Sequence, residues 1–440
     1  MMGQLFVYPT FLAICIAGIS RPWIGLIGFY GFVLLEPQWN WRWSIPADFQ
    51  FQKFIAASVI IGWALQGFRV PFLARSAKQA VICLSAFLAV GFLSTTQSID
   101  PQLSAFYMSN MWKIVLFAVM AVILLDSPDK IWIAIVVSSI AQGYSAIRIN
   151  EQYFQDGFSL YAYRAWGTKG DNNLYSNLTV PLIACSIAAC IYSDRLWLRL
   201  TTGAIAILQI HQIMLLDSRG AMLAAVGMGF LILWVMPKNS FTIRSTVFTV
   251  IITVLLAGPS VVREFRSSFE SGENRDSSAE SRFQLWKAGA RITKDNALLG
   301  VGPYAGQRLV PSYYQGGLNA THKGLHNLLF EISTGFGIPA AILYFLYFLI
   351  PWWNLVRLKW AHRSRVPLPK WYGAAQLAVI AGIPGYLAGA MFSSGALSES
   401  PYLLASIGLA TLSVAQVESM REQDAEPGSE GEQDSLAEGH

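Results

Sequence analysis

The residues best suited to chemistry stand at the starts of three apolar segments. A helix that begins at such a point presents unpaired backbone N–H groups and the positive end of its dipole, which favours a phosphate-sized anion. If the three starts share one face of the fold, they predict a site for a diphosphate. The polar residues concerned are Asp171 and Asn173 at the first start, Arg219 at the second, and His326 and Asn327 at the third.

His326 supplies what such a site needs beyond positive charge. Histidine has an ordinary pKa of about 6.5, so at neutral pH it can accept a proton from a hydroxyl nucleophile. Arg219 carries a planar cation that can contact two phosphate oxygens and stabilise a diphosphate leaving group. This combination predicts glycosyl transfer from a lipid-linked sugar to a hydroxyl, without a metal.

Three further residues are candidates for lining the same site. Arg282 heads a segment with helical periodicity, and Arg291 follows about two turns later, so both could reach over the site. Glu331 lies within the apolar segment that follows His326, where an ionisable group is costly and is commonly functional. We expect Glu331 to support the site rather than to act as a second catalyst.

Each group also has a structural explanation. Asp217 or Ser218 could cap a helix while Arg219 extends to water, and residues 167–173 have the composition of a turn. His326 could cap a helix or be an interface histidine, and Asn327 and Glu331 could hydrogen-bond between helices. The sequence leaves these alternatives open.

The composition identifies the kind of fold that must position these groups. The chain has 440 residues, 54% hydrophobic and 13% charged, with a mean hydropathy of +0.44. These values exclude a soluble globular domain of this size and predict an all-α polytopic membrane protein with about 12 or 13 transmembrane helices. We expect residues 1–416 to form one transmembrane domain, with a long loop at 262–325 that contains short amphipathic helices.

The distribution of charge predicts the orientation. Lys and Arg concentrate in loops that alternation places on one face, which the positive-inside rule assigns to the cytoplasm. The polar residues at the starts of the three apolar segments, and the loop at 262–325, then face the periplasm of a bacterial cell. Residues 417–440 carry eight acids against Arg421, which predicts a disordered cytoplasmic tail. The basic remainder suits contact with anionic membrane lipids and does not argue for nucleic acid.

The sequence predicts neither a metal site nor a bound cofactor. The four cysteines lie in apolar runs without paired spacing, so they are expected to be small core residues. On the predicted outer face there is also no Asp-x-Asp pair that could chelate a divalent cation.

The order of the motifs resembles the O-antigen ligase and O-antigen polymerase superfamily of bacterial inner-membrane proteins. The resemblance covers roughly residues 160–350. It implies a metal-independent transferase that takes a glycan from an undecaprenyl diphosphate carrier, with His326 as catalytic base and Arg219 and Arg282 on the diphosphate. The residues that carry it are Trp166-Gly167-Thr168 with Asn173, Asp217-Ser218-Arg219-Gly220-Ala221, Arg282 with Trp286, Leu298-Leu299-Gly300-Val301-Gly302-Pro303, and His326-Asn327 with Glu331 and Gly335 to Gly337.

Two narrower questions remain open at the level of sequence. Leu35-Glu36-Pro37-Gln38 and the run from Gly170 to Asn173 are similar to the branch of O-glycosylation ligases found beside exosortase systems, which would favour a protein or polysaccharide acceptor over a lipid core. A polysaccharide polymerase of the same superfamily would use the same carrier. A lipid-linked glycan flippase or other transporter is the main rival, but it should concentrate polar groups at the membrane midplane, where His211 is the main candidate.

Overall fold

The computed structural model describes residues 2–168, 170–267, 277–361 and 368–425. This part of the chain is mostly helical and contains no β-strand. The first half contains α1 Met2–Ser20, α2 Pro22–Leu35, α3 Pro37–Asn40, α4 Phe51–Leu65, α5 Arg75–Thr95, α6 Pro101–Leu124, α7 Pro128–Asp156 and α8 Asn172–Tyr192. The second half contains α9 Leu196–Leu215, α10 Arg219–Val235, α11 Ser240–Ser267, α12 Ser277–Asp295, α13 Val310–Tyr313, α14 Leu328–Phe336, α15 Ile338–Ala361, α16 Lys370–Ala390 and α17 Glu399–Ala425, and short 3-10 turns lie at Leu160–Ala162 and Ala305–Arg308.

The hydropathy of these helices agrees with a multi-pass membrane protein. Within the described ranges, nine helices are long and apolar enough to cross a membrane, and α4, α10 and the first part of α11 are shorter apolar helices. The predicted all-α membrane fold is confirmed. At 14 residues, α2 rises only about 21 Å, so it is shorter than a hydrocarbon core of about 30 Å.

The helices α8 and α16 form the centre of the bundle. Of all the candidate spans in the described chain, α16 has the most enclosed apolar window, 83% buried, and α8 follows with 72%. Gly382, Gly385 and Gly389 of α16 face Pro181, Val180 and Asn177 of α8, and a Cβ on Gly389 would lie 1.7 Å from the Asn177 Oδ1 atom. These small residues let the two helices approach closely, as is common in membrane bundles.

A buried polar cluster joins α7, α8 and α9. Gln142 donates to Thr179 and Gln212, and Gln209 donates to Gln142. His211, which is 2% exposed, contacts the Asn150 side chain. Because these groups satisfy one another, the cluster has the character of an interhelical contact.

The structure differs from the sequence-based expectation at two helix boundaries. The apolar segment that follows His326 is a single run in the sequence, but Gly337, with φ +87°, ends α14, and α15 begins at the next residue. The final helix continues to Ala425, which is inside the segment predicted as a disordered tail from 417. Residues 426–440 lie outside the described residues. The amphipathic helix expected in the loop at 262–325 is present as α12, while residues 268–276 of that loop also lie outside them.

Candidate active site

His326 lies immediately before α14 in a constrained backbone conformation. Its φ of +48° falls in the left-handed region, which a residue with a side chain rarely adopts. Asn327 returns to an extended conformation and caps α14, with its Oδ1 accepting a hydrogen bond from the Phe330 N–H at 3.2 Å. Its Nδ2 donates to the Met391 carbonyl oxygen at 3.0 Å. Asn327 therefore ties the start of α14 to the end of α16 and fixes the backbone beside His326.

The bond to Met391 is the hydrogen bond between helices that the sequence left open as an alternative for Asn327. The side chain is only 3% exposed, and both of its polar atoms are engaged within the protein. Its placement supports a role in positioning His326 rather than in binding a substrate directly.

The His326 imidazole is half-buried and surrounded by charged groups from three segments. Burial lowers its pKa below the ordinary value, the Asp171 carboxylate opposes this effect, and the positive charges of Arg282 and Lys323 reinforce it. The ring is therefore neutral at neutral pH. In that form, one ring nitrogen can accept a proton.

Asp171 reaches His326 from the N-terminus of α8. Its Oδ1 caps that helix by accepting hydrogen bonds from the N–H groups of Asn173 at 2.8 Å and Leu174 at 3.1 Å. The adjacent Asn172 holds the preceding loop, because its Oδ1 accepts from the Trp166 N–H at 2.8 Å. The turn chemistry expected at residues 167–173 is thus present at the described positions, 167–168 and 170–173, together with the placement beside His326.

The start of α10 is joined directly to the start of α8. The Ser218 hydroxyl donates to the Asn173 Oδ1 atom at 3.0 Å. Ser218 occupies the N-cap position of α10 but makes no side-chain cap bond, and Asp217 forms the preceding turn with φ +52°. Arg219 is the first residue of the helix, and it is half-buried. The polar residues that the sequence places at the starts of the three apolar segments therefore meet on one side of the bundle.

Helix α12 brings Arg282 to this meeting point. Its buried face, which includes Leu285, Ala288 and Ile292, packs toward α13 and α14, and Arg282 lies one turn before Leu285 on that face. Arg291 follows Arg282 by about two and a half helical turns, so it points to the opposite side, and it is exposed. This differs from the expectation that Arg291 reaches over the site.

An aromatic contact anchors the same helix over α10 and α16. The rings of Trp286 and Phe392 lie 5.8 Å apart. Phe392 also packs against Gly220, where a Cβ would lie 2.7 Å from the Phe392 Cβ atom. The glycine that follows Arg219 therefore has a steric role, since it lets this aromatic pair close over the start of α10.

Glu331 is buried where α14 meets α6. It is 6% exposed, and its Oε1 accepts a hydrogen bond from the Tyr107 hydroxyl of α6 at 2.8 Å. Glu331 therefore joins α14 to α6, and its support of the site stays a prediction.

Two residues that sequence reasoning did not select lie close to these groups. Glu36 is 9% exposed and accepts hydrogen bonds from the Thr168 N–H at 3.3 Å and the Thr168 hydroxyl at 3.0 Å. Tyr304 has φ +64°, stacks on the Tyr107 ring at 5.2 Å, and lies within electrostatic range of Glu331 and Asp171. Burial raises the pKa of Tyr304 to about 12, so it remains a hydrogen-bond donor at neutral pH.

The sequence contained a signal for each of them. Glu36 is an acid at the end of an apolar run, and Tyr304 directly follows the glycine-rich motif at 298–303. What the sequence lacked was the fold that brings residues so distant along the chain together. Among the described residues, no group of three or more His, Cys, Asp or Glu side chains is arranged to hold a metal ion.

Comparison with known proteins adds a family assignment to this geometry. Residues 204–345 match the family model Wzy_C, described as O-antigen ligase. The match runs from α9 into α15 and includes Arg219, Arg282 and His326. The chain has no match among curated proteins. Residues 204–345 therefore match an O-antigen ligase domain, and this match supports the O-antigen ligase superfamily for this part of the chain.

Proposed function

We propose that this protein transfers a glycan from an undecaprenyl diphosphate carrier to an acceptor hydroxyl at the periplasmic face of the bacterial inner membrane. The observation that carries the proposal is the environment of His326. It combines a lowered pKa with Asp171 and Arg282 as charged neighbours. A neutral imidazole beside a guanidinium suits a reaction that removes a proton and releases an anion.

In the proposed reaction, the acceptor oxygen attacks the anomeric carbon of the donor sugar. The bond from that carbon to the diphosphate oxygen breaks, and its electron pair leaves with the diphosphate. The hydroxyl proton passes to His326. Attack opposite the leaving group gives inversion at the anomeric carbon.

The leaving diphosphate gains negative charge as the bond breaks. Arg219 and Arg282 are the groups proposed to receive it, assisted by the positive end of the α10 helix dipole. The scheme uses guanidinium groups in the role that a divalent cation has in other transferases. Metal independence stays a prediction.

A polysaccharide polymerase is the nearest alternative, because it would use the same carrier and differ in the acceptor. The proposed acceptor is a hydroxyl of a glycan, a lipid or a protein, and the exosortase-associated branch stays a prediction. A flippase is less well supported. The buried polar groups of α7, α8 and α9 bond to one another, whereas a transporter needs such groups free for its cargo.

The test uses the purified full-length chain in lipid nanodiscs with an undecaprenyl-diphosphate-linked oligosaccharide and candidate acceptors. Release of undecaprenyl diphosphate and formation of the glycosylated product are measured together. His326→Ala should lower kcat by about 100- to 10,000-fold, the usual contribution of a general base. His322→Ala is the matched control, because His322 lies in the same loop and is exposed.

The arginines are tested in the same assay. Arg219→Lys and Arg282→Gln should each reduce turnover. For Arg219 the reason is that lysine keeps the charge but not the two-pronged contact of a guanidinium. Arg291→Gln should leave turnover unchanged, because that side chain points away from the site. Wild-type turnover by His326→Ala, with unfolding and insertion also unchanged, would remove His326 as the base and with it the central support for the proposal.

A further inference from the structure

A cavity lies on the face of the bundle opposite the candidate active site. It has a volume of about 680 Å³ and is bounded by the junction of α1 and α2, the end of α4 with the loop after it, and the connection between α6 and α7. Its size suits a ligand larger than a single inorganic ion. The helix directions place it on the side that the positive-inside rule assigns to the cytoplasm.

The lining of this cavity is positively charged. Arg21, Arg69 and Lys130 contribute three cations. Asp126 is the one acidic side chain among the described lining residues, and it is ion-paired with Lys130 at 2.5 Å. The Lys130 Nζ atom also lies 5.8 Å from the centre of the Trp23 ring. A net positive charge therefore remains to attract an anion.

The loop that carries Arg69 is built in advance of any ligand. Gly67 and Phe68 both adopt left-handed conformations, with φ values of +72° and +51°. The Phe68 N–H donates to the Trp63 carbonyl at 3.0 Å, and the Trp63 indole N–H donates to the Arg69 carbonyl at 3.1 Å. These bonds hold Arg69 at the cavity without requiring the loop to reorganise.

Another hydrogen bond connects this loop to the wall of the cavity formed by the junction of α1 and α2. The Gln66 side-chain amide donates to the Ser20 carbonyl oxygen at 3.0 Å, directly before Arg21. The spacing of Arg21 and Arg69 is therefore set by contacts within the protein. Such preorganisation lowers the entropic cost of binding an anion between them.

The surroundings of the cavity favour an amphiphile over a soluble anion. Leu65 is 73% exposed, Phe68 53% and Val70 57%, and all three lie on or next to the same loop. Large apolar side chains with this exposure are expected to lie in the lipid, which puts the cations at the depth of the headgroups. The tryptophans Trp23 and Trp63 are also typical of the membrane interface.

We propose that this cavity binds the headgroup of an anionic phospholipid from the cytoplasmic leaflet. Arg21 and Arg69 contact the phosphate, Lys130 contributes through its position over Trp23, and the acyl chains lie along the exposed apolar residues. The site is separate from the glycan-transfer chemistry and does not depend on it.

The test measures binding of phosphatidylglycerol and phosphatidylcholine to the purified full-length chain in detergent, by native mass spectrometry of retained lipid over a titration. The double variant Arg21→Gln/Arg69→Gln should bind phosphatidylglycerol about 30-fold more weakly, because each interfacial base contributes about a factor of five. The control is Arg195→Gln/Arg357→Gln, which removes the same charge from exposed positions outside the cavity. It should keep the wild-type affinity.

Competition with soluble glycerol 3-phosphate distinguishes a lipid from a free phosphate. It should not displace the lipid, since it lacks acyl chains. Full displacement would identify a soluble-phosphate site and overturn the proposal. Equal affinity for phosphatidylcholine, or an equal loss in the control variant, would overturn it too, because either result would show general lipid or charge association.

Discussion

Replacing Asn327 with alanine separates a positioning role from a substrate-binding role. Removing a helix N-cap costs about 1 kcal/mol, and leaving the Met391 carbonyl without its donor costs about 1–3 kcal/mol more if it stays dry. Asn327→Ala should therefore lower the free energy of unfolding by about 2–4 kcal/mol. It should also reduce kcat, because the left-handed backbone at His326 loses the contacts that hold it.

Asn327→Ser gives the matched comparison. The hydroxyl oxygen can retain the cap on the Phe330 N–H but is too short to donate to the Met391 carbonyl, so about 1 kcal/mol of the loss should be recovered relative to alanine. Thermal unfolding in nanodiscs gives the stability, and the transfer assay gives kcat and the KM for the lipid-linked donor. If Asn327 instead bound the substrate, alanine would raise KM while stability stayed at the wild-type value. That pattern would refute the positioning role.

The remaining predictions concern pH dependence and helix packing. The base form of His326 is required and its pKa is lowered, so activity should be lost only as the pH falls through a value below about 6.5. Lys323→Gln removes a positive charge that disfavours the imidazolium, so the acidic limb of the pH–rate profile should move to higher pH. An unchanged limb would assign it to another group. Gly389→Ala should prevent folding or lower the unfolding free energy by several kcal/mol, because its Cβ would lie 1.7 Å from the Asn177 Oδ1 atom. Gly227→Ala in α10 meets nothing within 4 Å and should be neutral or slightly stabilising; equal unfolding temperatures for the two variants would contradict the packing argument.

The helices, and the meeting of the polar residues at the starts of three of them, could be predicted because both depend on the local pattern of hydropathy. Long apolar runs determine the spans, and alternation of the spans determines which ends share a face. Asp171, Arg219 and His326 were found in this way. The position of Arg291 was also within reach, since the helical period alone separates it from Arg282.

The features that were missed depend on contacts between distant segments. Nothing near Glu36 in the sequence specifies that it will bond to Thr168. Similarly, Glu331 looked like a site residue because it is an acid in an apolar run, and its partner Tyr107 lies more than two hundred positions away. The hydropathy pattern also passes through Gly337 without a break, because hydropathy does not register a change of backbone direction.

The short helix α14 also bears on how the chain can be divided. The last carbonyl oxygens of α14 do not continue its hydrogen-bonding pattern into α15. The Thr334 and Gly335 carbonyl oxygens instead accept bonds from the N–H groups of Val301 and Gly302, and the Ser94 hydroxyl of α5 donates to the Gly335 oxygen at 2.8 Å. Ser94 lies far outside residues 204–345, the part that matches the ligase family. Residues 204–345 are therefore not a unit that folds on its own. The segment that carries His326 depends on the amino-terminal helices for its shape.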